Sequence, residues 1–276
     1  MKKIITNGEF FSAKDTLECG QIFRFSENSG GRYFVNSGDK RCLLYNEGNN
    51  AVIECEDNDE EYFINFFDLE RDYCAIVNSA IKEGGIIAEC AKAGKGIRIL
   101  NQNKTETLFS FIVSQNNNIP RIKGIIERLC LGAGRKKEFA GEEYYTFPTV
   151  EEMAKKPLDF YKKIGLGYRA EYVKRLADGY ANDINEAELS GLTTAELKKR
   201  LLTVYGVGPK VADCVTLFGY HKSDSFPVDT WIEKVYKEDF NGELKDRKQI
   251  ADYFVKRFGE NSGYYQQYLF YYKRGL

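Results

Sequence analysis

Two residues of this 276-residue chain have the types and the spacing for covalent chemistry: Lys210 and, 19 residues later, Asp229. A neutral amine is a nucleophile. Lys210 falls at the start of an expected helix, where the positive end of the helix dipole disfavours an ammonium. A carboxylate nearby can orient the amine and stabilise positive charge developing on the group under attack. Each residue also has an ordinary use. A lysine on a helix is commonly solvated, and an aspartate in Phe226-Pro227-Val228-Asp229-Thr230 is commonly an N-cap. The single histidine, His221, disfavours a histidine metal site. None of the seven cysteines forms a CxxC pair, which disfavours zinc and iron–sulfur clusters.

The elements that must position this pair are legible. Thr193 and Glu196 have capping-box spacing at a helix start, and Leu197, Leu201 and Val204 form the apolar stripe. Gly206-Val207-Gly208 then predicts a tight turn. Pro209 suits the first position of a second helix, which runs from Lys210 to about Phe218 and closes at Gly219. Lys210, Cys214 and Leu217 share one face of it, and Val211, Val215 and Phe218 share a core face. Amides pointing out of such a hairpin can hold a phosphate without reading a base. A further helix begins near Asp229 and carries Thr230, Trp231, Ile232 and Val235.

Elsewhere, Thr105–Ser114 is apolar on nearly all sides and predicts a buried central helix. Gln115-Asn116-Asn117-Asn118 ends it, and Pro120 lies in the first turn of the next. Gly165-Leu166-Gly167-Tyr168-Arg169 is a turn that opens another helix. Residues 1–55 read as β-rich, with strands over 32–36, 41–46 and 51–55. From about 58 onwards the pattern turns helical and stays so. The expected class is α+β: a small N-terminal antiparallel sheet over 1–98, a helical segment over 99–190 and the hairpin-bearing segment over 191–276.

Composition narrows the setting. Hydrophobic residues make up 43% and charged residues 29%, ordinary for a water-soluble globular chain. The net charge of −1 argues against coating a polyanion through bulk charge, though not against a local basic face. Lys162, Lys163, Arg169, Lys174 and Arg175 supply local density, as do Lys198 to Arg200. An odd number of cysteines without a leader segment, and no membrane-length apolar run, lead us to expect a cytoplasmic protein with no membrane partner.

Tyr205-Gly-Val-Gly-Pro-Lys-Val-Ala-Asp-Cys214 together with Pro227-Val-Asp229 resembles the lysine-bearing glycosylases of the helix-hairpin-helix superfamily, and more narrowly the 8-oxoguanine DNA glycosylases. Cys19-Gly-Gln-Ile-Phe-Arg-Phe25, the run from Leu108 to Arg121, Gly165–Arg169 and Gly263–Phe270 resemble further motifs of that family in the same order, so the likeness runs nearly end to end. The resemblance implies excision of 8-oxoguanine from duplex DNA and cleavage of the strand. Lys210 would attack the sugar C1′ and form a Schiff base, with Asp229 as its carboxylate partner and β-elimination to follow. The flipped base would lie between Cys214 and Phe270, with Gln266 on its Watson–Crick edge and the Gly20 carbonyl accepting the N7 proton that guanine lacks. Asn116 would fill the gap left in the duplex, Arg121 and Arg169 would bond the orphaned cytosine, and Tyr168 would wedge beside it. Gly206 and Gly208 would approach the backbone. Trp231 stands where relatives carry a phosphate-contacting histidine, and its indole N–H can replace that contact. No cofactor is required, although the carbonyls of Leu202, Val204 and Val207 can hold a monovalent or calcium ion. A nucleoid-associated monomer is expected. Two rivals stay open: a glycosylase on the same scaffold for another damaged base, and a non-catalytic DNA-binding hairpin.

Overall fold

Period-two alternation builds the N-terminal sheet. A computed structural model describes residues 1–275, so the end of the third expected segment, at 276, lies outside the described residues. The strands are β1 (Lys2–Asn7), β2 (Phe25–Glu27), β3 (Tyr33–Ser37), β4 (Lys40–Glu47) and β5 (Asn50–Cys55). They form one antiparallel sheet in the order β1-β5-β4-β3-β2. Tyr33, Val35, Cys42, Leu44, Ile53 and Cys55 point to one face, where Phe63, Phe66 and Phe67 cover them. Phe34, Leu43, Tyr45 and Val52 point to the other, against Phe139 and Tyr144. The three expected strands are therefore present with slightly different bounds. β1 and β2 are additional, as is α1 (Ala13–Glu18), capped by Ser12.

Twelve of the remaining helices run in chain order up to the last two: α2 (Glu60–Phe66), α3 (Tyr73–Glu83), α4 (Gly85–Ala93), α5 (Lys104–Ser114), α6 (Ile119–Ala133), α7 (Val150–Ala154), α8 (Leu158–Lys163), α9 (Arg169–Asp183), α10 (Glu186–Gly191), α11 (Thr194–Leu201), α12 (Pro209–Phe218) and α13 (Thr230–Asp239), followed by α14 (Arg247–Phe258) and α15 (Ser262–Arg274). One hairpin interrupts them, β6 (Lys136–Phe139) with β7 (Glu142–Tyr145). This corrects the expectation of unbroken helix after 58. The two-residue turn Ala140-Gly141 has both φ values positive, at 53° and 78°, the geometry that matches strand twist. Phe139 and Tyr144 close the outer face of the N-terminal sheet, so a tertiary contact pays for a strand pair whose own sequence is weakly patterned.

Helix α5 is the central helix expected, buried from Glu106 to Val113. Helices α3 and α4 join the large helical core, with Tyr73, Val77, Ile87 and Cys90 in the same cluster as Leu269 of α15. One buried ion pair pins sheet to helices. Arg24 donates to Glu106 at 3.0 Å and to the Tyr145 carbonyl at 2.6 Å, and Glu106 also accepts the Gly38 amide at 2.6 Å. Removing one partner of such a pair costs about 3–5 kcal/mol, because a charge is left buried without its counterion.

Candidate active site

The hairpin forms as its sequence demands. Thr193 and Glu196 make both bonds of the capping box at the start of α11. Gly206 has φ +86°, and a Cβ there would meet the Tyr172 ring at 2.7 Å. Glycine is thus required twice over, by backbone and by space. Gly208 is the N-cap of α12, with φ −94° and open space where a Cβ would stand, so it lies in an ordinary extended conformation. Helix α12 is buried along most of its length, including Leu217, which fills the space beside Gly263 of α15. A Cβ on Gly263 would meet Leu217 at 2.4 Å, so this glycine lets α15 approach α12.

Four elements bring the expected residues together. Gly20, Phe111, Lys210, Cys214, Pro227, Asp229, Gln266 and Phe270 line one slot of about 40 Å³, room for a few waters and not for a purine. A wider groove of about 390 Å³ opens in front of it, walled by Lys210, Asp229, Trp231, Phe270 and the loop after α5. Lys210, half-buried in the first turn of α12, lies with its Nζ 5.1 Å from the centre of the Phe111 ring. Asp229 is the N-cap of α13. Its Oδ1 accepts the amides of Trp231 and Ile232, both at 3.0 Å. Capping fixes that carboxylate in the slot that Lys210 also lines. Burial pushes the Cys214 thiol up to about 11, with the neighbouring Lys210 opposing the shift. At neutral pH it is a protonated, polarisable surface.

The walls carry unmet hydrogen-bonding capacity. Gln266 is buried, and its Oε1 has no partner among the described residues. Its neighbour Gln267 donates to the Cys19 carbonyl at 2.8 Å and so ties α15 to the loop holding Gly20. Gln21 anchors that loop from behind, donating to the carbonyls of Thr16 and Arg98 at 2.9 and 2.7 Å and accepting the Leu100 amide at 2.9 Å. The carbonyl of Gly20 accepts no hydrogen bond from the described backbone. Gly20 has φ +90°, and a Cβ there would stand 3.2 Å from the Phe270 ring.

The second group lies at the rim. Asn116 is exposed in left-handed backbone, φ +46°, and donates to the Tyr168 hydroxyl at 3.3 Å. Tyr168 is 51% exposed, Trp231 is 44% exposed, and Arg121 is exposed with one bond to the Gly165 carbonyl at 3.3 Å. Arg169 is in a different situation, only 3% exposed. Its guanidinium donates to the Gln115 carbonyl, to that of Asn116 at 2.9 Å and to that of Leu166 at 3.2 Å. It braces the Asn116 loop, whereas Arg121 keeps its donors near solvent. Gln115 adds a second brace that sequence reasoning missed, donating to the Gly206 carbonyl at 2.9 Å. Only the position of Gln115 next to the asparagine run marked it. At the hairpin, the Val204 carbonyl accepts the Val207 amide at 3.0 Å, while those of Leu202 and Val207 accept none from the described backbone.

The slot presents an amine, a carboxylate and a buried amide oxygen with no partner among the described residues, beside a glycine hairpin. The chain matches the HhH-GPD superfamily of base excision DNA repair proteins over residues 109–260 and belongs to it. Residues 3–108 match the 8-oxoguanine DNA glycosylase N-terminal domain, which places the chain in the 8-oxoguanine glycosylase branch. The structure of MBOgg1 in complex with a low affinity DNA ligand superposes with a TM-score of 0.94 at 38% identity, covering 100% of this chain and 96% of that one. The Clostridium acetobutylicum 8-oxoguanine glycosylase/lyase, in complex with double-stranded DNA containing cytosine opposite 8-oxoG, gives 0.92 at 36% identity over 97% and 93%. The N-glycosylase/DNA lyase of Saccharomyces cerevisiae is 38% identical over 159 residues, 53% of this chain and 42% of that protein. This chain thus matches less than half of the yeast protein's length. The expected α+β class, a small antiparallel sheet on a helical glycosylase core, holds. Among the described residues, no helix is long and apolar enough to cross a membrane.

Proposed function

We propose that the chain is a bifunctional DNA glycosylase and abasic-site lyase that removes 8-oxoguanine from duplex DNA. The observation that carries this reading is the shared slot of Lys210, Asp229, Cys214, Gln266, Phe270 and Gly20. The base leaves the stack, because its glycosidic bond is out of reach within it. Phe270 swings aside to admit it, since the slot as it stands is smaller than a purine. The base then lies against Cys214, with Gln266 on its Watson–Crick edge. The Gly20 carbonyl accepts the N7 proton of 8-oxoguanine. Guanine has an acceptor at N7, so two acceptors would face each other and one buried bond would be lost.

Lys210 attacks C1′ with its lone pair as the base departs with the glycosidic electrons, and Asp229 stabilises the positive charge developing on the sugar. The attacking nitrogen then loses a proton and the C1′–O4′ bond breaks, with O4′ taking up a proton, so that the opened sugar is held as a Schiff base, from which loss of a proton at C2′ expels the 3′ phosphate. Asn116 and Tyr168 fill the gap, and Arg121 bonds the orphaned cytosine, on a loop that Arg169 holds in place. No cofactor enters these steps. The carbonyls of Leu202, Val204 and Val207 are suited to a monovalent or calcium ion that would brace the hairpin, Val204 through the lone pair that its bond to the Val207 amide leaves free.

Borohydride should trap wild-type protein on an 8-oxoguanine duplex. Lys210→Gln should give no adduct and no excision while still binding the duplex, and excision retained in that variant would show that water, not the amine, attacks. Parallel duplexes with other damaged bases test the rival substrate, and equal rates opposite all four bases would refute the role of Arg121.

A further inference from the structure

The groove in front of the slot must receive more than a base. A nucleotide turned out of a duplex brings a phosphate on each side of its sugar, and the sugar must sit at Lys210. Two cations line this groove, Lys210 and Arg274. Lys210 is committed to the sugar in the reading above, on which this inference rests. Arg274, in the last turn of α15, is half-buried rather than waving in solvent. Its guanidinium carbon lies 4.9 Å from the centre of the Phe270 ring, and one Nη stands 3.3 Å from where a Cβ on Gly20 would be. The neighbouring Lys273 is tied to Asp239 at 2.8 Å. Arg274 is held by an aromatic face and a backbone approach, and among the described residues its N–H donors have no hydrogen-bond partner.

We propose that Arg274 binds a backbone phosphate next to the flipped nucleotide and so holds the sugar at Lys210. A planar guanidinium fits phosphate with two parallel charge-assisted bonds. Its packing on Phe270 means that the ring which faces the base and the cation which holds the backbone sit on one helix turn. Gly20 must lack a side chain for both, because a Cβ would press on ring and guanidinium together.

The test uses full-length protein, an 8-oxoguanine duplex and two copies of that duplex carrying a neutral methylphosphonate at one or the other flanking phosphate. Arg274→Ala should raise the half-saturating DNA concentration about tenfold and lower the salt slope of binding by about one. The single-turnover rate at saturation should fall as well, because a sugar no longer held by its phosphate is less well placed for the amine. Arg274→Lys should recover the salt slope. One of the two methylphosphonates should reproduce the loss in wild type and cost nothing further in Arg274→Ala. Additive losses at both positions, unchanged binding in Arg274→Ala, or a fall in the saturated rate alone would overturn the proposal. Binding does not need turnover, so coupling without excision would sink only the base assignment, and excision without coupling would sink only the phosphate contact.

Discussion

Gly206→Ala tests how the hairpin is held. The new methyl would meet the Tyr172 ring at 2.7 Å, at a residue whose φ is +86°. Left-handed backbone costs a residue with a Cβ about 1–2 kcal/mol. Overpacking against a ring that cannot easily withdraw adds about 1–3 kcal/mol. Tyr172 is confined because it stands edge-on to Tyr168 at 5.7 Å and to Tyr205 at 5.3 Å. Loss of about 2–5 kcal/mol is a large share of ordinary domain stability. The two parts separate in a double-mutant cycle. Tyr172→Ala removes the steric part and leaves the backbone part, so the double variant should be more stable than the sum of the single losses by about 1–3 kcal/mol. Urea unfolding measures the cycle, and duplex binding by Gly206→Ala should fall with it. Additivity within about 0.5 kcal/mol would refute the claim that Tyr172 sets the space above Gly206.

Two further outcomes follow from buried groups. Burial lowers the pKa of His221 below its ordinary 6.5, with Asp68 opposing. Below 6.5 the unfolded chain takes up the proton first, so stability is full above that pH and is lost as pH falls through the folded value. With one histidine in the chain, His221→Gln should flatten that part of the urea midpoint against pH, and an unchanged profile would refute it. Cys214, buried and pushed up to about 11, should be alkylated by iodoacetamide at pH 8 far more slowly than exposed Cys74, as peptide mass spectrometry would show. Equal rates would place the Cys214 thiol outside the slot wall.

Local rules were enough wherever the chemistry of an element is written within it. The capping box at Thr193, the glycine turn, Pro209 at the first position of α12 and the buried stripe of α5 all appear where spacing puts them. Residues whose role is set by a distant partner stayed hidden. The β6–β7 hairpin exists because the N-terminal sheet needs its outer face covered, and nothing within those residues says so. Gln267 and Gln115 look like any polar residue, yet each spans the fold, one to the carbonyl beside Gly20 and one to that of Gly206. Lys210 and Asp229 depend on distant partners in the same way. Asp229 is an ordinary helix cap, and Lys210, at a helix start, has only the helix dipole against it. A third element completes the slot: α15 brings Gln266 and Phe270 to it, and it can do so because Gly263 lets it rest on Leu217. A side chain at Gly263 should therefore withdraw Gln266 and Phe270 from the slot while leaving Lys210 and Asp229 in place, and on the proposed reading discrimination between 8-oxoguanine and guanine duplexes should fall further than cleavage of an abasic-site duplex.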